Sequence, residues 1–267
     1  GAPRDLHSFP TRRSSDLVPS TGADREFQAL IDVINGMLDR LERSFGQATR
    51  FSADAAHELR TPLTILQGEL EGHLQAAPAG SDEQRRYGGL LDEVQRLKSI
   101  VQKLLLLARA DAGRLALDRL PVDLSGQLAG LAEDAAILGP GLVIDRRIAA
   151  GVIVQGDPSL LQQALRNLVD NAVKYSADGG RVEIGLEAAE GRAVVVVRNT
   201  VVPGATPDAG RIFDRFYRGD PAHGRVVDGT GLGLSLAREI ARAHGGDLEF
   251  RGVNDGVAEF RLTLPSA

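Results

Sequence analysis

The chain contains no cysteine among its 267 residues, which removes disulfides and thiolate metal sites from consideration. It contains no apolar run of membrane length. The longest, Leu104 to Ala108, falls far short of the roughly 18 to 20 residues that a span needs, so the chain as given is expected to be soluble. It has no basic excess either. Its 31 Lys and Arg against 36 Asp and Glu leave a net charge of -5, which argues against nucleic acid as a partner. No internal repeat and no low-complexity stretch interrupts it. What is there is 43% apolar content, enough for real cores, in a length that allows one to three domains.

The stretch Phe51 to Leu66, FSADAAHELRTPLTIL, reads as an amphipathic helix. Ala56, Leu59, Leu63, Leu66 and Leu70 recur at spacings of three and four, a coiled-coil-like seam. His57 falls one position past a seam residue and should face solvent, with Glu58 beside it and Thr61 one turn on. Pro62 disfavours helix at Thr61, so a kink is expected just after the histidine. An exposed imidazole beside a carboxylate can act as a nucleophile whose proton the carboxylate takes or orients. A solvated His-Glu pair on a helix surface fits the same residues.

The helix should run from Gly46 to Ala76, turn at Pro78, Gly80 and Ser81, and continue as a second helix over Asp82 to Asp111. That helix carries the stripe Leu90, Val94, Leu97, Val101, Leu104 and Ala108. Two helices with narrow stripes bury them poorly alone, so two such hairpins should pair into a four-helix bundle, and a homodimer is expected. Beyond Gly113 the pattern becomes mixed. Strands are expected at Leu115–Leu120, Leu142–Arg147, Val152–Val154, Arg181–Leu186, Ala193–Arg198, Asp247–Arg251 and Val257–Leu264. Helices are expected at Leu124–Leu138, Pro158–Tyr175 (capped by Asp157) and Gly231–His244 (ended by Gly245-Gly246). One layer of helices over a mixed sheet is the economical arrangement.

Two strings in this second half suit a nucleotide. In LRNLVDNAVKYS, Asn167, Asn171 and Lys174 project from one helix face, and Leu165, Leu168, Val169 and Ala172 cover the other. Amide oxygens can ligate Mg²⁺ and a lysine can meet phosphate, although a polar outer face would look the same. In DGTGLGLSLAREIARAHGG, Gly229, Gly231 and Gly233 alternate ahead of a helix, which lets backbone amides approach an anion at its N-terminus. The string is not a P-loop, because the Gly-Lys-Ser/Thr ending is missing, and its spacing is not that of a dinucleotide fingerprint. Between the two strings, Phe213, Phe216 and Tyr217 suggest an aromatic cluster with Phe213 in the core. Arg215 and Arg218 could reach phosphates, although a solvated face would look the same, and Gly219 to Asp228 reads as a lid.

HELRTPL closely resembles the H-box of bacterial two-component sensor histidine kinases, and the downstream strings resemble that family's N-box, F-box and second glycine box in the same order. The resemblance extends to kinases of the heavy-metal-sensor type. It implies a multidomain chain: an all-α hairpin forming a dimeric four-helix bundle over 46–112, then an α+β sandwich ATP-binding domain of the GHKL (Bergerat) type over 113–267. It implies ATP and Mg²⁺ as cofactors, His57 as phospho-acceptor, Glu58 as its proton partner and Thr61 as a water-positioning residue for phosphatase action. It places Asn167 on Mg²⁺, Asn171, Lys174 and Arg218 at phosphates, Tyr175 at the wall near the nucleotide, and the Gly229-Thr230-Gly231-Leu232-Gly233 backbone around the phosphates. It makes a response-regulator receiver domain the second partner, docking below His57.

One motif departs from the family. Its first glycine box reads Asp-x-Gly-x-Gly, and here Asn199 stands at the Asp position with Val201 and Pro203 at the glycines. An Asn carbonyl can still accept from the adenine amino group without the charge-assisted part of the bond. A phosphatase-biased or pseudokinase sensor with weakened ATP binding is thus an alternative, and a GHKL-type ATPase or a dimeric scaffold without chemistry is one of another class. Residues 18–45 resemble the second helix of a HAMP linker. Arg4 to Leu17 resembles one reading frame of a sequencing-adapter oligonucleotide, so residues 1–17 are set aside as a disordered artefact. On that reading the membrane enters only through a missing N-terminal region, with the parent in the bacterial inner membrane and this region cytoplasmic.

Overall fold

The computed structural model describes residues 58–59, 61–113, 115–202, 204, 207–218 and 229–266. His57, the 1–17 and 18–45 segments, Pro203 and the lid residues 219–228 lie outside the described residues.

The first described helix, α1, covers 61–76 and includes Pro62. The second, α2 (Asp82–Asp111), has the expected bounds. Ser81 caps it by accepting from the Gln84 amide at 3.1 Å, while Gln84 Oε1 accepts from the Gly80 amide at 2.7 Å. The two helices pair as a hairpin. Leu63 packs against Val101 and Leu105, Lys98 Nζ donates to Gln67 Oε1 at 2.6 Å, and His73 stacks on Tyr87 with centroids 5.2 Å apart. Part of the predicted seam stays uncovered, together with Ile65 beside it. Leu59, Ile65, Leu66, Leu90 and Leu97 are 41% to 59% exposed, whereas Leu70, Val94 and Val101 are buried. A row of uncovered leucines on a two-helix hairpin is the face a second hairpin would bury.

Beyond Gly113 come β1 (Leu120–Asp123), α3 (Leu124–Leu138), β2 (Val143–Ile148), β3 (Ile153–Gly156), α4 (Pro158–Tyr175), β4 (Arg181–Ala189), β5 (Arg192–Thr200), α5 (Gly233–Ala243), β6 (Asp247–Asn254) and β7 (Val257–Pro265). The main sheet has order β2-β4-β5-β7-β6, with β2 and β4 parallel and the other pairs antiparallel; β1 and β3 form a separate two-stranded ribbon. Two tight hairpins set the register: Glu190-Gly191 joins β4 to β5, and Asp255-Gly256 joins β6 to β7. All four residues have positive φ, the requirement of the turn whose twist matches the strands. Strands alternate buried and part-exposed residues, and the buried side faces α3, α4 and α5. There Leu128, Leu161, Leu165, Leu168, Leu236 and Ile240 meet Ile184, Leu248 and Leu262.

The first strand is a correction. It was expected at Leu115–Leu120 and lies at Leu120–Asp123. Leu115 and Leu117 do alternate as half-buried residues, but no strand lies beside them, whereas Leu120–Asp123 finds Ile153–Gly156 as ladder partner. Alternation alone does not make a strand; a neighbour does. The remaining elements match with shifts of a few residues at their ends. Asp157 caps α4 by accepting from the Ser159 and Leu160 amides at 3.0 and 3.1 Å. The α5 C-terminus closes as a Schellman motif, in which Gly246 donates to Ala241 and Gly245, at φ +80°, donates to Arg242.

The last turns of α2 do not belong to the hairpin alone. Leu107 is buried in the same core as α3, α4, α5 and the sheet, and Ile100, Leu104 and Leu106 pack against that core.

Candidate functional site

The helix α4 presents the expected two faces. Leu165, Leu168, Val169 and Ala172 are buried, and Asn167, Asn171 and Lys174 emerge half-buried on the other side. The glycine segment lies directly against them. Gly229 sits so close to Lys174 Nζ that a Cβ there would collide with the ammonium, and a Cβ at Gly233 would come to 3.7 Å from the Asn167 amide. Gly231 is at φ +66° and is pressed on the backbone of Phe216 and Tyr217, where its carbonyl accepts from the Phe216 amide at 2.9 Å. The glycines are thus there for close approach, to a lysine on one side and to a neighbouring turn on the other.

The N-terminus of α5 follows at once. Its cap residue Leu232 makes no side-chain capping bond, and no acidic residue stands in the first turn. The first amides of the helix therefore keep their partial positive charge beside Lys174 and Asn167, an arrangement that suits an anion. Leu232 itself is fully buried and holds this end of α5 in the core, so only its backbone is available to a ligand. Thr230 is half-buried on the rim.

Two side-chain amides are buried without partners. Asn199 on β5 is 1% exposed, in register between Val182 and Ala258, and its Nδ2 lacks a hydrogen-bond partner; the Nδ2 of Asn167 is buried and lacks one too. An unsatisfied buried amide costs about 1–3 kcal/mol, so each is a candidate to meet a polar ligand. A carboxamide both accepts and donates, so Asn199 can accept from a purine amino group and donate to the adjacent ring nitrogen. The Val201 amide donates to the Gly256 carbonyl at 2.8 Å, and Thr200 accepts from the Ala177 amide at 2.8 Å.

Tyr175 stands at the rim with the Lys174 ammonium 5.8 Å from its ring centroid. Partial burial pushes its phenol pKa up and the charge of Arg218 opposes this. Two expectations between the motifs are corrected. Arg215 does not turn to the cleft: its Nη2 donates to both carboxylate oxygens of Asp111 at the end of α2, at 2.5 and 2.6 Å. Phe216 does not join an aromatic cluster. It is 60% exposed at φ +62°, because the turn that receives Gly231 forces its backbone left-handed. Phe213 packs on the core beneath the Arg238 guanidinium, 4.5 Å away, and Tyr217 packs against the same core while its hydroxyl accepts from the Asp208 amide at 3.0 Å.

On the hairpin, Glu58 and Thr61 are both exposed. Sequence reasoning missed a second stripe on α2: Gly89, Asp92, Arg96, Ser99 and Lys103 recur at spacings of three and four, one residue out of phase with the apolar seam. These five residues, together with Glu93, line a cleft of about 480 Å³ with Gly229 and Thr230. Among the described residues, no cluster of three or more His, Cys, Asp or Glu side chains is arranged for a metal.

Two family models match. Residues 47–113 match the His Kinase A (phospho-acceptor) domain, and residues 156–267 match the histidine kinase-, DNA gyrase B-, and HSP90-like ATPase domain. The chain is 40% identical to sensor protein CutS of Streptomyces coelicolor, over 91% of this chain and 59% of that protein. It is 31% identical to sensor histidine kinase CusS of Escherichia coli K12, over 90% of this chain and 50% of that protein. It thus spans only half to three fifths of the length of these relatives. The crystal structure of full-length ShkA in complex with AMPPNP superposes with a TM-score of 0.66 at 29% identity, over 82% of this chain and 46% of that one.

Proposed function

The chain belongs to the sensor histidine kinases, of which it carries the phospho-acceptor and ATPase domains, and we propose that it phosphorylates His57 from ATP and passes the phosphoryl group to a response-regulator aspartate. The observation that carries this reading is the convergence of the Lys174 ammonium, the uncapped start of α5 and the buried, unpartnered amide of Asn167 on the glycine segment.

In this reading Asn199 holds the adenine edge, Tyr175 covers the purine, and Lys174, Arg218 and the backbone from Gly229 to Gly233 hold the phosphates. An imidazole nitrogen of His57 attacks the γ-phosphorus in line, the bond to the β-γ bridging oxygen breaks, and ADP leaves. The imidazole proton passes to Glu58 or is oriented by it. Lys174 and the α5 amides neutralise charge as it gathers on the leaving oxygen. The amide oxygen of Asn167, with phosphate oxygens of the nucleotide, suits a Mg²⁺ ion, which would supply further charge neutralisation. Thr61, on the solvent face, positions water for the reverse dephosphorylation.

The uncovered leucines of the hairpin support a homodimer, and the His Kinase A domain implies dimerisation. The α1 surface below His57 is the docking face for a receiver domain. No helix among the described residues is long and apolar enough to cross a membrane. The parent protein is anchored in the bacterial inner membrane by a region outside this chain, with these domains on the cytoplasmic side.

The test is phosphotransfer. Residues 18–267 are incubated with Mg²⁺ and γ-labelled ATP, beside His57→Ala and Asn171→Ala. Acid-labile, base-stable label on the unaltered chain and on neither variant is the expected result. Label surviving in His57→Ala would move the acceptor elsewhere, and ATP bound without label would favour a phosphatase-biased sensor.

A further inference from the structure

The stripe Gly89, Asp92, Arg96, Ser99 and Lys103 continues at helical spacing to Leu107 and Asp111. All seven residues lie on the flank of α2 that faces the ATP-binding domain. Leu107 is buried in that domain's core, and Asp111 receives Arg215 in an ion pair. These two contacts clamp the end of α2 to the ATP-binding domain and fix what the preceding turns face. One turn before Leu107 is Lys103, which lines the cleft with Gly229 and Thr230. Gly229 is the residue pressed on Lys174 Nζ. Asp170, on α4 between Asn167 and Asn171, reports the same proximity. Partial burial raises its pKa, and the charges of Arg166, Lys103 and Lys174 oppose that rise. The charges of Lys103 on the hairpin and Lys174 on α4 therefore both bear on one carboxylate.

The acidic members of the stripe do not cancel this arrangement. Asp92 lies three turns from Lys103, about 16 Å along the helix at 1.5 Å per residue. Glu93 is engaged by Arg96 at 3.7 Å.

We infer that Lys103 of the hairpin is a nucleotide-binding residue, contacting the terminal phosphates of ATP from the α2 side when α2 is docked as seen here. The inference rests on the ATP reading above and adds to it a fourth wall that the ATP-binding domain does not itself contain. Its consequence is that the two domains share one ligand. Docking of α2 and occupancy of the cleft by a nucleoside triphosphate favour one another, and a nucleotide without terminal phosphates does not take part.

The test measures binding of ATP, ADP and AMP to the full chain by calorimetry, for the unaltered protein, Lys103→Ala, Lys103→Arg and Asp111→Asn. Lys103→Ala should weaken ATP about three- to tenfold, as suits one partly exposed charge on a phosphate. It should weaken ADP less, leave AMP unchanged, and be rescued largely by Lys103→Arg. Asp111→Asn should lower ATP affinity in the same direction, and adding Lys103→Ala to it should cost less than it does alone. Unchanged ATP affinity in Lys103→Ala overturns the inference, as does an equal loss for ATP, ADP and AMP. Failure of the unaltered chain to bind any of the three overturns instead the ATP reading on which it rests.

Discussion

Replacing Gly231 by alanine should weaken ATP binding far more than an equally strained glycine elsewhere. Gly231 and Gly245 both sit in the left-handed region, at φ +66° and +80°. An alanine in either pays about 1–2 kcal/mol of backbone strain. Their surroundings differ. At Gly245 the nearest atom to a new Cβ is Pro265 Cγ at 3.5 Å, an ordinary contact. At Gly231 the Cβ would stand 2.7 Å from the Phe216 carbonyl carbon and the Tyr217 carbonyl oxygen, and both are backbone. That turn cannot retreat alone, because the Phe216 amide donates to the Gly231 carbonyl at 2.9 Å. Overpacking of this kind adds about 1–3 kcal/mol, relieved by displacing the segment from Gly229 to Gly233. If that segment wraps the phosphates, Gly231→Ala should lose at least about tenfold in ATP affinity, since each tenfold is about 1.4 kcal/mol. Gly245→Ala should bind ATP as before while unfolding at lower urea. Calorimetric ATP titration and urea unfolding of both variants make the comparison. Normal ATP affinity in Gly231→Ala, or equal losses in the two variants, would refute the assignment of this segment to the phosphates.

Lys174→Ala should lower ATP affinity about ten- to hundredfold with little change in thermal stability, because a charge-assisted contact to phosphate is lost and no core atom is removed; titration and a melting curve check this. Leu90→Glu with Leu97→Glu should shift the chain from dimer to monomer in light scattering, since both leucines lie on the uncovered face and a charge there cannot be desolvated. His244 is buried, its Nε2 accepting from the Asp157 amide at 3.0 Å and its Nδ1 bonded to the Ile240 carbonyl, and burial holds its pKa below the ordinary value. Below pH 6.5 the unfolded chain therefore binds a proton that the folded chain refuses. Stability should fall as pH drops from about 6.5 toward the lowered pKa, and this part of the slope should vanish in His244→Gln.

Much of the fold was legible because the relevant physics is local. Asp157-Pro158 announces the start of α4, Gly245-Gly246 the end of α5, and Glu190-Gly191 a two-residue hairpin. Each rests on a capping bond or a sign of φ set within a few residues. The polar face of α4 was legible for the same reason, since spacings of four and three fix a common face on any helix. Leu115–Leu120 was misplaced because a strand depends on a partner distant in the chain, and alternation does not say which residues find one. Arg215 was misread for a similar reason. A free guanidinium near an ATP motif suggests phosphate, and the carboxylate that takes it is 104 positions away.

By itself, then, the sequence determined the helix ends, the turns, the polar and apolar faces and the presence of residues able to hold a nucleotide. It also contained the second stripe of α2, though periodicity cannot say what a stripe meets. The tertiary structure alone decided that Leu107 enters the ATP-binding domain's core, that Asp111 engages Arg215, and that Lys103 lines one cleft with Gly229 and Thr230. The reason is that such contacts join residues about 100 positions apart or more. Their formation depends on how whole elements stack to bury apolar surface, a global balance that no short window of sequence records.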